Sequence, residues 1–315
     1  MAKETQKLKV IAVDSGKFNM KIRDDEKILI YENHYNEGSS DLFGGLVENT
    51  WNVGYKGGFY TVGQSADDED SQEGKGSFAH ILETLTGVTL FLDPKEKNDN
   101  IVLIYGESLN PYSNVVNREE IVRQLEGNHS LTVNDIQYNF TIKNVHIIPE
   151  GMGHIICEKE CGNGLDYVID IGGKTINFLK VNKKKVDLKE STSYPLGVNN
   201  IIALIAERCN KNGIGINVDE AKEFLISGTS EVKVQQIINA VINEQFREIE
   251  KKLHLKGVDL KKLTEVFGVW FIGGGTLLLK EQIKSRYGSK VKIPENPLTA
   301  NVDGSYKFGV LKYGK

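Results

Sequence analysis

Two segments of the chain place an aspartate and one or more glycines directly after an apolar strand. They are Val13-Asp14-Ser15-Gly16-Lys17-Phe18-Asn19 and Ile169-Asp170-Ile171-Gly172-Gly173-Lys174-Thr175-Ile176-Asn177. In both segments a second strand is predicted to begin almost at once. Each segment is therefore predicted to be a strand–turn–strand hairpin that carries a carboxylate and unhindered backbone at its tip.

These residue types suit the binding of a polyphosphate and its metal ion. Glycine has no Cβ, so the amide N–H groups around it can approach phosphate oxygens closely. An aspartate would repel phosphate, but it can orient a hydrated Mg²⁺, which prefers carboxylate, water and phosphate oxygens. Lys17, Lys21 and Lys174 add positive charge near the tips. Two such hairpins from two halves of one chain could clamp one polyphosphate from both sides.

Each hairpin taken alone is better explained as an ordinary tight turn, in which Asp and Gly are common. The repetition, with one copy opening each half of the chain, favours phosphate binding. Neither segment is a P-loop, because no Gly-Lys-Ser/Thr sequence opens a helix after the first strand. A third glycine run, Gly273-Gly274-Gly275, follows the apolar segment from Val269 to Ile272. Its backbone could lie flat against a nucleotide, although such a run is often only a strand-to-helix turn.

The elements around these segments alternate between strands and helices, which indicates an α/β architecture. Apolar strands are predicted at Lys9 to Val13, Ile101 to Tyr105 and Val266 to Ile272. Apolar residues at three- and four-residue spacing from Val234 to Leu253 predict one long amphipathic helix.

Composition narrows the class of protein. The chain has 315 residues, 39% of them hydrophobic and 26% charged, which suits two domains of about 150 residues each. The net charge of −4 gives no basic excess for direct nucleic-acid binding. With no run of 18 apolar residues and no apolar leader, we expect a cytoplasmic protein without membrane contact. The 3 cysteines imply no disulfide framework.

Several motifs together resemble those of the actin-like ATPase superfamily, and within it the ParM/StbA-type plasmid-segregation proteins and their archaeal relatives. The resemblance extends over essentially the whole chain. The matching segments are Asp14-x-Gly16-x-x-Asn19-x-Lys21, Tyr60-Thr-Val-Gly63, Leu103-Ile-Tyr-Gly106, Pro149-Glu150-Gly151, Asp170-Ile-Gly-Gly-x-Thr175, Ile272-Gly-Gly-Gly275 and Asn301-Val-x-Gly304-x-x-Lys307-Phe-Gly309.

The resemblance implies an actin-like (ribonuclease H-like) α/β fold of two domains with a nucleotide cleft between them. Each domain would contain a mixed five-stranded sheet flanked by helices. Domain I would comprise residues 1–150 and 296–315, with a small subdomain inserted at about 32–76. Domain II would comprise residues 151–295, with a helical subdomain at about 211–262.

The resemblance also implies a role for each matching residue. Asp14 and Asp170 would hold Mg²⁺ through its waters, and Glu150 and Asp170 would be catalytic, with Glu150 positioning the water that attacks the γ-phosphate. The nucleotide, ATP or GTP, would be bound by Asp14, Ser15, Gly16, Lys17, Asn19, Lys21, Gly172, Gly173, Lys174, Thr175, Lys222, Gly273, Gly274 and Gly275. Asn177 departs from the family, because many relatives carry Asp there, and Lys174 stands where Thr or Gly is frequent.

The function implied is a slow ATPase that polymerises with nucleotide into filaments. Such filaments would segregate plasmid DNA through a DNA-binding adaptor of the ParR type, so the chain itself would not contact nucleic acid. Two alternatives stay open at this point. One is a sugar- or acetate-type small-molecule kinase on the same fold, and the other is a nucleotide-binding scaffold that does not polymerise.

Overall fold

The structure is a computed structural model that describes residues 8–16, 19–38, 47–64 and 75–314. Within these ranges the chain forms thirteen strands and eleven helices. The strands are β1 (Lys9–Ser15), β2 (Asn19–Arg23), β3 (Ile28–Glu32), β4 (Tyr35–Glu37), β5 (Thr50–Tyr55), β6 (Gly58–Gly63), β7 (Asn98–Glu107), β8 (Gly127–Val133), β9 (Ile136–Pro149), β10 (Leu165–Ile171), β11 (Ile176–Asn182), β12 (Lys185–Tyr194) and β13 (Gly268–Ile272). The helices are α1 (Phe78–Thr89), α2 (Leu109–Ser113), α3 (Val115–Leu125), α4 (Met152–Cys157), α5 (Val198–Lys211), α6 (Val218–Ser227), α7 (Val232–His254), α8 (Leu260–Val266), α9 (Gly274–Leu278), α10 (Lys280–Tyr287) and α11 (Ala300–Tyr313).

The chain divides into two compact units. The first unit contains Met1–Lys159 and Thr299–Lys315, and the second contains Glu160–Leu298. Each unit is built around one mixed sheet, which confirms the α/β architecture.

The sheet of the first unit has the strand order β3-β2-β1-β7-β9-β8-β5-β6-β4. The strands β1, β7 and β9 are parallel to one another, and the remaining pairs are antiparallel. This sheet has nine strands rather than the five expected. The reason is a long β8–β9 hairpin that turns at Asn134 and Asp135, both with positive φ, and pairs with β5 at Val53 and Gly54. The inserted strands therefore continue the main sheet.

The sheet of the second unit has four strands in the order β12-β11-β10-β13. Two antiparallel pairings are followed by one parallel pairing, between β10 and β13. The run β3-β2-β1-β7 of the first unit has the same order and the same directions. The repeated hairpin seen in the sequence is thus part of a repeated four-strand unit.

Helices cover both faces of the first sheet. Because side chains alternate along a strand, Ile11 and Val13 of β1 pack into one core, which contains the buried face of α1. Val10 and Ala12 pack on the opposite face with Val302 of α11. In the second unit the main core joins β10 and β13 to α5, α7 and α10.

The predicted amphipathic helix is α7, which begins at Val232 and ends at His254. Its buried residues include Val234, Ile238 and Val241 at the spacing that the sequence pattern predicted. Across the described ranges, no helix is both long enough and apolar enough to pass through a lipid bilayer.

Candidate functional site

The first hairpin places Asp14 at the carboxyl end of β1, where its side chain is almost fully buried. Lys21 lies directly opposite Asp14 on β2, and its Nζ is 2.9 Å from Asp14 Oδ2. The Gly16 N–H donates to the Asp14 carbonyl oxygen at 2.9 Å, which closes the turn. A Cβ on Gly16 would lie 2.7 Å from the Asn19 carbonyl oxygen, so only glycine fits this turn without a shift.

Lys75 is a further cation at this hairpin, and sequence analysis missed it. Its side chain is 1% exposed, and its Nζ lies 3.1 Å from Asp14 Oδ1 and 2.7 Å from Glu150 Oε1. Lys75 follows a polar segment rich in Gly, Asp and Glu, a composition that is typical of a surface loop. Nothing in the local pattern therefore indicated a buried ammonium group between two predicted site acids.

Glu107 is a third acid in the same cluster and was also missed. It ends β7 and is fully buried, and its carboxylate accepts the backbone N–H of Ser108 at 2.7 Å and of Lys75 at 3.2 Å. Tyr105, two residues earlier on β7, donates its hydroxyl to the Lys75 carbonyl oxygen at 2.9 Å. The backbone of Lys75 is thus held from two sides by β7, which fixes where its side chain begins.

The three acids meet because β1, β7 and β9 are parallel. Asp14, Glu107 and Glu150 lie at or just after the carboxyl ends of these strands, the edge where ligands bind in open α/β sheets. We call Asp14, Lys21, Lys75, Glu107 and Glu150 the acid–lysine cluster. It brings three carboxylates together with two ammonium groups.

Burial and ion pairing act in opposite directions on the acid–lysine cluster. Burial alone would raise the pKa of Asp14, but Lys21 and Lys75 outweigh it and hold that pKa well below its usual range. Burial alone would lower the pKa of Lys75, but Glu150 and Asp14 outweigh it and raise that pKa. Burial raises the pKa of Glu107, against the opposing effect of Lys75. Asp14 and Lys75 therefore stay charged across the neutral pH range.

The position of Glu150 is fixed by its backbone neighbours. The Glu150 N–H donates to the Glu107 carbonyl oxygen at 2.8 Å, and the Gly151 N–H donates to Asn301 Oδ1 at 2.8 Å. Gly304 of α11 lies against α4 so closely that a Cβ on it would be 1.7 Å from the Gly153 carbonyl oxygen. The closing motif that begins at Asn301 thus anchors the segment that carries Glu150.

The second hairpin has the same topology in the second unit. Asp170 is buried near the end of β10, and the Gly172 N–H donates to the Thr175 carbonyl oxygen at 2.9 Å. Asn177 lies directly opposite Asp170, at the place that Lys21 takes opposite Asp14. The residue opposite the aspartate is therefore a cation in one hairpin and a neutral amide in the other.

The N-terminus of α5 supports the loop of the second hairpin. Backbone N–H groups of Gly197, Val198 and Asn199 donate to the carbonyl oxygens of Lys174, Gly172 and Gly173 at 3.0, 3.0 and 2.9 Å. A Cβ on Gly197 would lie 2.2 Å from the Gly173 carbonyl oxygen, so the approach requires glycine. Three carbonyl groups of the loop are thus bonded to α5. Sequence analysis missed this contact, whose signal was the Leu196-Gly197 pair before an apolar helix.

The third glycine run lies beside Asp170. Gly273 has φ +88, and a Cβ on it would be 2.3 Å from Asp170 Oδ1. A Cβ on Gly275 would be 2.4 Å from Ile171 Cγ2. The parallel pairing of β10 with β13 produces this contact, because it sets Asp170 level with Ile272. Two helices follow the run, α9 and α10, and the first begins at Gly274.

The structure thus gathers the predicted site residues into two groups. Asp14, Gly16, Lys21 and Glu150 belong to the first unit, where Ser15 is buried and the Asn19 carbonyl oxygen lies close to Gly16. The second group contains Asp170, Gly172, Gly173, Lys174, Thr175, Gly273, Gly274 and Gly275. Lys222 is half-buried on α6, which packs against α5, and its role at the purine stays a prediction. Lys17 lies outside the described residues.

Comparison with known proteins confirms the resemblance. Residues 12–153 match the family model described as the N-terminal domain of actin-like proteins. No curated protein sequence matches the chain. The fold is that of actin-like proteins, as comparison with solved structures shows.

Three structures illustrate the similarity. The archaeal actin homolog Ta0583 superposes with a TM-score of 0.77 at 18% identity, covering 97% of this chain and 100% of that one. A 15-stranded ParM filament from Clostridium botulinum gives a TM-score of 0.76 at 18% identity, over 97% and 100%. An Alp12 filament structure gives 0.72 at 24% identity, over 98% and 100%. A further structure of Ta0583 is a complex with ADP, at 19% identity and a TM-score of 0.73 over 96% and 99%.

Proposed function

We propose that this chain is an actin-like ATPase that binds Mg-ATP and assembles with it into filaments. The observation that carries the proposal is the repeated hairpin. In each unit a buried aspartate is the second-last residue of a strand, a glycine follows two residues later, and the four strands around it have the same order and directions. A repeated aspartate–glycine tip suits one ligand that needs both a metal ion and close backbone N–H contacts.

A hydrated magnesium ion fits the side chains at the first hairpin. Each Asp14 oxygen bonds one lysine, and a carboxylate oxygen has room for a second hydrogen bond. Asp14 could therefore accept a metal-bound water while it keeps both lysines. A magnesium ion at this point would neutralise phosphate charge and orient the terminal phosphate.

Glu150 is the acid we assign to the attacking water. Its side chain is 11% exposed, so it is mostly buried yet still reached by solvent. The backbone N–H groups of Glu150 and Gly151 donate hydrogen bonds to Glu107 and Asn301, and these bonds fix the position from which the Glu150 side chain extends. In phosphoryl transfer a protein mainly positions and neutralises, so one well-placed acid supports slow hydrolysis.

Filament assembly is supported by the relatives rather than by a surface of this chain. Two of the structures similar to it are described as filaments, and both align over nearly its entire length. We propose the same for this chain, with plasmid segregation in the cytoplasm as its role. Its net charge of −4 suits coupling to DNA through a separate basic adaptor of the ParR type.

Light scattering with pelleting tests the proposal directly. Purified protein is mixed with Mg²⁺ and ATP, GTP or ADP, and scattering is followed while phosphate release is measured. We expect scattering above a critical concentration that decays as nucleotide is consumed. Asp170→Asn should abolish it, whereas Asp187→Asn, an exposed aspartate on β12, should not.

The two alternatives predict other outcomes. A small-molecule kinase would not scatter, and it would turn over ATP only when a sugar or carboxylic acid acceptor is added. A scaffold that does not polymerise would bind nucleotide without scattering or turnover. Either result would overturn the filament proposal and leave nucleotide binding in place.

Glu150→Gln tests the step of hydrolysis. Because the amide cannot accept the water's proton, we expect phosphate release to fall roughly a hundredfold or more while ATP still binds. Filaments of this variant should therefore last longer than those of the wild type, as measured by the decay of scattering. Unchanged phosphate release would remove Glu150 from the mechanism.

A further inference from the structure

The ammonium group of Lys75 lies where no sequence motif had placed a cation. It bridges Asp14, the acid assigned to the metal, and Glu150, the acid assigned to the attacking water, at 3.1 and 2.7 Å. A group that contacts both acids lies next to the point where a terminal phosphate must meet them. This reasoning rests on the function proposed above.

The backbone around Lys75 is held in place, whereas its ammonium group has only exchangeable partners. The backbone N–H and carbonyl oxygen of Lys75 are bonded to Glu107 and Tyr105 on β7. The ammonium carries three donors on a flexible stem, so it can change partners without a change in the backbone. A phosphate oxygen is an equivalent partner for such a group, and charge-assisted bonds of this kind are strong.

The balance of charges in the acid–lysine cluster also supports a role for the Lys75 cation. With Lys75 present, three carboxylates face two ammonium groups, and without it they would face Lys21 alone. A triphosphate brings further negative charge to the same place. In a buried site that repulsion is only weakly screened, so the cation of Lys75 is needed for the terminal phosphate to approach.

We propose that Lys75 is a terminal-phosphate-binding residue. With no nucleotide bound, its ammonium neutralises Asp14 and Glu150. When ATP binds, the ammonium exchanges Glu150 for an oxygen of the terminal phosphate, which frees Glu150 to hold the attacking water, while Asp14 keeps its bond to Lys75 and holds a water of the magnesium ion. With ADP no terminal phosphate arrives, and Lys75 keeps its bond to Glu150. The residue thus distinguishes ATP from ADP.

The test is the affinity of Lys75→Met for ATP and for ADP, each with Mg²⁺, measured by calorimetry or by competition with a fluorescent nucleotide. Loss of a charge-assisted hydrogen bond should weaken ATP binding roughly tenfold to a hundredfold. ADP binding should change by less than about threefold. Lys9→Met is the matched control, since it removes a lysine that pairs with buried Asp24 at 3.2 Å in the same unit. Its ratio of ATP to ADP affinity should equal that of the wild type.

A purely structural role for Lys75 gives a different result. Lys75→Met would then unfold more easily but would lose ATP and ADP affinity equally, and that outcome overturns the proposal. If Lys75→Met does not fold, the double variant Lys75→Met/Glu150→Gln is used instead, because it removes a cation and an acid together. Its nucleotide affinities are then compared with those of Glu150→Gln alone. The same selective loss of ATP affinity is expected, and an unchanged preference overturns the proposal.

The failure of this inference can be told apart from failure of the proposed function. Wild-type protein that binds neither ATP nor ADP would contradict nucleotide binding as a whole, and Lys75 with it. Wild-type protein that binds both nucleotides, with an unaltered preference in Lys75→Met, would remove only the role assigned to Lys75.

Discussion

Asp14 and Asp170 occupy the same position in two hairpins but have different neighbours. Asp14 is held by Lys21 and Lys75, both within 3.1 Å. Asp170 has Asn177 across the hairpin and the backbone of Gly273 against its carboxylate. Two residues equivalent by topology therefore face different residues across their hairpins, Lys21 in the first and Asn177 in the second.

The asparagine opposite Asp170 has a physical reason. Both Asp170 and Asn177 are buried, so an aspartate at 177 would place two carboxylates on directly opposite residues. Like charges opposite each other destabilise a sheet, and burial increases the cost.

Asn177→Asp should therefore lower the free energy of unfolding by roughly 1–3 kcal/mol near neutral pH. Part of the loss should be recovered with Mg-ATP, because a bound divalent cation would offset the added charge. Urea unfolding with and without Mg-ATP measures both effects, and Asn182→Asp, at an exposed position of the same strand, is the control. Equal stability of the two variants would contradict this explanation.

Among single residues, the aspartates and glycines were predictable and the buried cation was not. Asp14 and Asp170 stand out because an apolar strand precedes each and glycine follows two residues later. Lys75 and Glu107 carry no such local pattern. They join the site only because β7 lies between β1 and β9 in the sheet. This strand order depends on residues that are far apart in sequence, so a short segment of sequence cannot reveal it.

At the scale of elements, the contact between α4 and α11 decides where Glu150 lies. The two helices meet backbone to backbone at Gly153 and Gly304. The motif around Asn301 was predicted as a family feature, and the structure gives it this anchoring role.

Gly304→Ala should push α11 away from α4, since its methyl group has no room beside the Gly153 carbonyl oxygen. We expect a loss of roughly 1–3 kcal/mol in the free energy of unfolding. Thermal or urea unfolding measures it, with the exposed Leu311→Ala on the same helix as a control that changes little. A Gly304→Ala variant as stable as the control would mean that the helices can separate without cost.

We expect a buried histidine, His129, to make the stability of the first unit depend on pH. A ring nitrogen of His129 on β8 lies 2.8 Å from the Leu125 carbonyl oxygen at the end of α3, and burial lowers the pKa of His129 from 6.5. The unfolded chain therefore binds the proton more readily than the folded one. Neutral His129 contributes fully to stability at pH values above the ordinary pKa of histidine. This contribution is lost as the pH falls from that ordinary pKa towards the lower pKa of His129 in the folded chain.

We accordingly expect the melting temperature to fall by a few degrees between about pH 7.5 and about pH 5.5. His129→Asn should show a smaller fall over the same range, and the exposed His254→Asn should behave as the wild type. Scanning calorimetry at several pH values measures this. A fall of the same size in His129→Asn would assign the pH dependence to other groups.

The place of the inserted strands in the main sheet could not be predicted from the sequence. The segment expected to form a small inserted subdomain contains β4, β5 and β6, and all three belong to the main sheet. That membership depends on two residue pairs between β5 and β8. Pairings between strands that are distant in sequence depend on which backbone groups lie nearby in three dimensions, so alternation of side chains cannot reveal them.

At the scale of the whole molecule, the two units repeat one plan. In each unit a hairpin carries an aspartate beside a strand that leads to a further site residue, Glu107 at the end of β7 and Gly273 directly after β13. The central claim of the proposal is that Mg-ATP binding needs both hairpins.

Nucleotide stoichiometry tests that claim most directly. Isothermal titration with Mg-ATP should give a single site per chain in the wild type, and both Asp14→Asn and Asp170→Asn should lose most of the affinity. Two sites per chain, or full affinity in either variant, would mean that Mg-ATP binding does not need both hairpins and would contradict the proposal.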